Sequence, residues 1–136
     1  MKKLLMATAA AALTAGAASA DGHGVKLGVL FGFTGPIESL TPTMAAGAEL
    51  AIAEVNEAGG ILDGSMVEAV RGDSTCVDAG AATAVADKMI TSDKIAGMVG
   101  ADCSGVTGAV LQNVAVPNGM VMISPSATSP GLSTVD

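Results

Sequence analysis

The sequence has no tryptophan and no tyrosine, and its aromatic content is two phenylalanines, Phe31 and Phe33. It has one histidine, His23, and two cysteines, Cys76 and Cys103. Basic residues are also scarce: six Lys and Arg stand against thirteen Asp and Glu, for a formal charge of −7. Each shortage excludes a class of function. Nucleic-acid binding needs basic tracks and stacking platforms, and this chain offers neither. A single histidine leaves no donor set for a His-based metal site. Gly28, Gly32 and Gly35 are not spaced as G-x-G-x-x-G, and no G-K-[ST] follows, so no nucleotide or other cofactor is expected. Those glycines read instead as points of tight turning and close helix–strand contact.

The longest apolar run, from Leu4 to about Ala15, is too short to span a bilayer, which takes about 20 residues. It follows Lys2-Lys3 and precedes Ala18-Ser19-Ala20, the small-x-small pattern that signal peptidase cleaves after. Residues 1–20 are therefore expected to be a signal peptide, with Asp21–Asp136 exported to the periplasm and no stable membrane insertion. No cysteine lies near the cleavage point, which disfavours a lipoprotein. Loss of Lys2 and Lys3 would move the charge from −7 to −9.

Export bears on the cysteines. An even count in an oxidising compartment favours a disulfide between Cys76 and Cys103. The alternative, a catalytic thiol at Cys103, lacks a base.

What the sequence does hold is a regular alternation. Lys26–Phe33 reads as a strand breaking at Thr34-Gly35-Pro36. Met44, Ala48, Ala51, Ile52 and Val55 follow helical spacing, with Pro42 before them and Gly59-Gly60 after. Asp63-Gly64 is a turn signal, and Ser65–Asp73 a second strand. Ala82, Val85, Ala86, Met89 and Ile90 form the stripe of a second helix. Ile95–Val99, Thr107–Val116 and Met120–Ser124 complete a βαβαβαβ order. The expected fold is α/β, a doubly wound parallel sheet. Such sheets bind ligands beyond the carboxyl ends of their strands, which directs attention to Thr34–Thr41, Gly72–Asp78, Gly100–Ser104 and Ser124–Ser129.

Two of these loops carry candidate binding groups. Ser104, at or near the start of helix three, is either a plain helix cap or a neutral site for a carboxylate. The run Ser124-Pro125-Ser126-Ala127-Thr128-Ser129-Pro130 is either an ordinary polar turn or a binding loop. In the second case its Ser126, Ala127 and Thr128 amides are free, and hydroxyls and carbonyls stand beside them to meet a zwitterion. No histidine neighbours Ser104 or Cys103, and no G-x-S-x-G or S-x-x-K occurs, so an enzyme is not expected. Asp102 is the one nearby carboxylate that could serve as a base.

Five segments together resemble the Leu/Ile/Val-binding family of bacterial ABC importers, which are type I periplasmic binding proteins. They are KLGVLFGFTGP, Asn56-Glu57-Ala58-Gly59-Gly60-Ile61, Asp73-Ser74-Thr75-Cys76, GADCSGVT and MISPSATSPGL, spanning nearly all of residues 26–132 in order. The resemblance implies a two-lobed protein that closes over an amino acid or similar small carboxylate and delivers it to an ABC transporter permease. It implies that Ser104 donates to the ligand carboxylate and that Thr128 contacts the ligand through amide and hydroxyl. It implies too that the Ser126 carbonyl accepts from the ammonium, with little demand on the Ser126 side chain. The Ala127 amide lies in the same loop, and Cys76 and Cys103 match the family's disulfide.

Leu40 falls where some members place an aromatic residue over the ligand side chain, and Ile37–Thr43 differs from leucine binders, so the ligand side chain stays open. The family's second lobe and hinge have no counterpart in these residues. Residues 21–136 are therefore expected to be an incomplete N-terminal lobe, with an apolar fourth strand that a complete protein would cover. A sensor domain of the same fold and an exported enzyme using Cys103 are the alternatives.

Overall fold

The computed structural model describes residues 24–61 and 64–134. The expected signal peptide and Asp63 lie outside the described residues. The elements are β1 (Val25–Phe31), α1 (Thr41–Glu57), β2 (Val67–Asp73), α2 (Ala79–Thr91), β3 (Gly97–Gly100), α3 (Ser104–Val110) and β4 (Met122–Ile123). A π-helical turn, Leu111–Ala115, prolongs α3, and a short 3₁₀ segment, Pro130–Thr134, ends the described chain.

All pairings within the sheet are parallel, in the order β2-β1-β3-β4. Central β1 pairs with β2 from Val25 opposite Val67 to Phe31 opposite Asp73, and with β3 from Leu27 opposite Gly97 to Leu30 opposite Gly100. The sheet thus grows one way from β1 to β2, then reverses across β1 to β3. The crevice of such a reversal opens at the carboxyl ends of β1 and β3. Among the described residues no helix is long and apolar enough to cross a membrane.

On one face Leu30 and Met98 pack against Ala82, Ala86 and Met89 of α2 and Val106 and Val110 of α3. The second-helix stripe is therefore the core-facing stripe, with Val85 and Ile90 half-buried beside it. Gly28 permits the approach of α2, since a Cβ there would lie 2.8 Å from the Met89 methyl carbon and 2.9 Å from Ile95. That is the close contact expected for it from sequence.

The other face is covered less completely. There α1 packs Ala45 against Val29 and Phe31, but Met44, Ala48, Ile52 and Val55 are only half-buried and Ala51 is exposed. They form one wall of an open apolar groove of about 390 Å³, whose floor includes Leu27, Val29 and Val99.

Local chemistry fixes the ends of α1 and α2. Pro42 occupies the first turn of α1, where its missing N–H costs nothing. Beyond the other end, Gly60 donates to the Val55 carbonyl at 2.9 Å. The Asn56 side chain donates to the Val67 carbonyl at 2.9 Å and accepts from the Val67 N–H at 2.7 Å. It thereby acts as a short extra strand that pins α1 to the start of β2. Asp78 caps α2 by accepting from the Ala81 N–H at 2.9 Å.

The first two strands are each about two residues shorter at one end than expected, ending at Phe31 and starting at Val67, and three later elements differ more. Helix three starts at Ser104, three residues before Thr107, because Thr107 donates back to the Ala101 and Cys103 carbonyls and draws the first turn into the core. The third strand is shifted to Gly97–Gly100. The fourth is only Met122–Ile123, with Val121 and Ile123 about two-thirds exposed (66% and 67%).

Candidate ligand-binding site

The four loops at the carboxyl ends of the strands converge on Asp102. This residue is buried, at 3% exposure. Its Oδ2 accepts from the Gly32 N–H at 2.7 Å, beyond β1. Its Oδ1 accepts from the Ser74 hydroxyl at 3.0 Å, beyond β2, and from the Cys103 N–H at 3.0 Å. Its backbone carbonyl accepts from the Ser126 hydroxyl at 2.8 Å, beyond β4. The carboxylate is thus buried and hydrogen-bonded through both oxygens.

Cys76 and Cys103 form a disulfide with their Cα atoms 5.2 Å apart. It ties the loop beyond β2 to the residue that directly precedes α3. Cys103, not Ser104, is the cap residue, in an extended conformation, and Ser104 is the first helical residue.

Ser104 meets the loop beyond β4. Its Oγ accepts from the Thr128 N–H at 3.1 Å and from the Ser129 N–H at 3.2 Å. A hydroxyl has two lone pairs and one proton. With both lone pairs engaged, an incoming group can meet Ser104 only as an acceptor of that proton. Ser124 organises the same loop from its other end. It donates to the Ala101 carbonyl at 2.5 Å and accepts from the Ala127 N–H at 2.9 Å and the Ser126 N–H at 3.4 Å. The Ser126, Ala127 and Thr128 amides are therefore not free, contrary to the reading of the loop as free donors. Serine hydroxyls hold all three. The Ser126 side chain also has a defined partner, the Asp102 carbonyl, so its identity matters to the loop.

The structure brings Ser104, Ser126, Ala127 and Thr128 together. Leu40 is the residue before α1 and is 59% exposed. Sequence reasoning passed over Ser74, Asp102 and Ser124 as binding-loop supports. Only the position of Ser124 at the head of a hydroxyl-rich loop hinted at its part.

The charge near the crevice is held internally as well. Burial pushes the Asp73 carboxyl up, but hydrogen bonds from the Thr34 hydroxyl and from the Thr75, Thr34 and Phe33 amides outweigh it, and the group lies below its ordinary value. On the outer surface Arg71 grips Glu49 through two contacts, 2.6 and 2.8 Å, and its hydrogen bonding holds the Glu49 carboxyl below the usual range. Among the described residues no three His, Cys, Asp or Glu side chains gather as a metal site. The groups presented by the Ser104–Thr128 junction are neutral donors and carbonyls, suited to a small polar solute.

A family model described as a periplasmic binding protein matches residues 24–135. The chain belongs to the periplasmic binding protein family. Leu/Ile/Val-binding protein homolog 7 of Brucella abortus is 40% identical over 105 residues, covering 77% of this chain and 25% of that protein. The leucine-, isoleucine-, valine-, threonine- and alanine-binding protein of Pseudomonas aeruginosa is 33% identical over 134 residues, 98% of this chain and 34% of the relative. Among solved structures, the branched-chain amino acid transporter substrate-binding protein LivJ of Streptococcus pneumoniae, in complex with isoleucine, superposes with a TM-score of 0.73 at 35% identity. That match covers 81% of this chain and 31% of LivJ. The fold is thus that of a type I periplasmic binding protein, and the chain spans a quarter to a third of the length of these relatives.

Proposed function

We propose that this periplasmic binding protein chain forms part of the first lobe of an extracytoplasmic solute-binding protein that captures an amino acid of the branched-chain type, or a similar small carboxylate, for an ABC importer. Residues 1–20 act as its cleaved leader, and a second lobe closes the cleft and completes the ligand cage. The observation that carries this reading is the Ser104 hydroxyl, whose lone pairs are engaged by the Thr128 and Ser129 amides so that its proton is what it has left to offer. That proton goes to the ligand carboxylate. The Thr128 hydroxyl supplies a further donor, its amide can exchange Ser104 Oγ for the stronger carboxylate acceptor, and the Ser126 carbonyl receives the ammonium. The likeness to a protein solved with isoleucine supports the ligand class. The role is capture and delivery to a permease, without bond-making chemistry. Calorimetric titration of the full-length protein with L-leucine, L-isoleucine and L-valine tests it. Saturable one-to-one binding of at least one is expected, and no binding of any contradicts it.

A further inference from the structure

Asp102 is a buried carboxylate with no salt-bridge partner among the described residues and no part in the proposed ligand contacts. Such a group is costly unless hydrogen-bonded or paired. Here three donors from three separate loop positions satisfy it: the Gly32 N–H, the Ser74 hydroxyl and the Cys103 N–H. Gly32 suits this close approach: a Cβ at residue 32 would stand 3.2 Å from Cys76 and 3.4 Å from Asp102 Oδ2, a tight fit. The Asp102 carbonyl takes the fourth loop through the Ser126 hydroxyl. One residue therefore joins the ends of all four strands, and its neighbours in sequence are Cys103 and the proposed ligand residue Ser104.

We infer that Asp102 is a positioning residue for ligand capture: its carboxylate sets the register of Ser104 against the Ser126–Thr128 loop, and so sets affinity without touching ligand. The inference rests on the proposed site. Asparagine cannot replace it. Three donors converge on two oxygens, so an amide NH₂ at either position would oppose the Gly32 N–H or the Cys103 N–H. The strain then falls on the backbone at residues 32 and 103, and through 103 on Ser104.

The test uses the full-length protein, L-isoleucine as probe, and the variants Asp102→Asn, Ser104→Ala and the double variant. Asp102→Asn is expected to weaken L-isoleucine binding by about tenfold or more. It is also expected to speed amide hydrogen exchange in residues 124–129, none of whose amides touches the Asp102 carboxylate. The double variant should lose less affinity than the product of the single losses, because both act through Ser104. Unchanged affinity, with faster exchange confined to residues 32 and 103, would overturn the inference by showing a merely local structural part. If Asp102→Asn does not fold, Ser74→Ala removes one of the three donors and reads out the same quantities, with a loss of about two- to fivefold expected and no change contradictory. Failure of the wild-type protein to bind L-isoleucine would count against the ligand class, while the exchange at residues 124–129 would still decide the positioning role.

Discussion

The Ser104 hydroxyl accepts a hydrogen bond from the Thr128 backbone N–H at 3.1 Å, across 24 positions of sequence. The contact joins the start of α3 to the loop beyond β4, and it assigns the two residues complementary parts. Ser104 keeps a proton to give, while Thr128 holds an amide that a stronger acceptor, such as a carboxylate, can draw away. The disulfide and the Asp102 cluster hold both ends of this junction.

The disulfide should contribute measurably to stability. Its cysteines are 27 positions apart, which corresponds to about 3.5 kcal/mol of chain-entropy stabilisation. The Cys76→Ser/Cys103→Ser double variant is expected to unfold at a clearly lower urea concentration than the oxidised protein. Coincident urea midpoints would contradict a structural role for the bond.

Asn56, half-buried at the end of α1, should matter to stability. Replacement by Ala removes both hydrogen bonds to Val67 and is expected to cost about 2 kcal/mol. Asn56→Asp should be at least as damaging, because a carboxylate oxygen would then face the Val67 carbonyl. Chemical denaturation of the two variants checks the ranking, and an Asp variant as stable as wild type would refute it.

Asp73 gives the fold an acid dependence whose sign is fixed. Its carboxyl lies below the ordinary value in the folded protein, despite the opposing effect of burial, because Thr34 and Thr75 donate to the ionised form. A depressed folded pKa contributes stability that is fully present above the unfolded value, about 3.9, and is lost as pH falls through the folded one. Urea midpoints measured from pH 7 down to pH 3 should therefore fall at the acid end. Asp73→Asn should show a shallower fall, and an identical slope would exclude Asp73 as its source.

The parts of this molecule that could be read from sequence are those written in local periodicity. The spacing of Ala82, Val85, Ala86, Met89 and Ile90 is enough to set the core-facing side of α2. Pro42 and Gly59-Gly60 likewise mark the limits of α1. Helix three is legible as an element, but the apolar stripe alone starts it at Thr107, because its first turn, Ser104-Gly105-Val106-Thr107, is largely polar and glycine-containing, and its start depends on Thr107 bonding back to Ala101. The site divides along the same line. Ser104 and Thr128 stand out as hydroxyls in loops at strand ends. The role of Asp102 does not, because its partners Gly32 and Ser74 are 70 and 28 positions away and meet it only once the sheet has formed. The loop amides were misjudged for a related reason: the serines that bond them belong partly to another loop.

The central claim is that Ser104 and Thr128 form the carboxylate-binding half of an amino-acid site. Calorimetric titration of the full-length protein and its Ser104→Ala variant with L-isoleucine tests it most directly. A hydrogen bond to a charged group contributes about 1.5–3 kcal/mol, so the variant should bind about ten- to a hundredfold more weakly while remaining folded. Equal affinity of the two proteins for L-isoleucine would contradict the assignment.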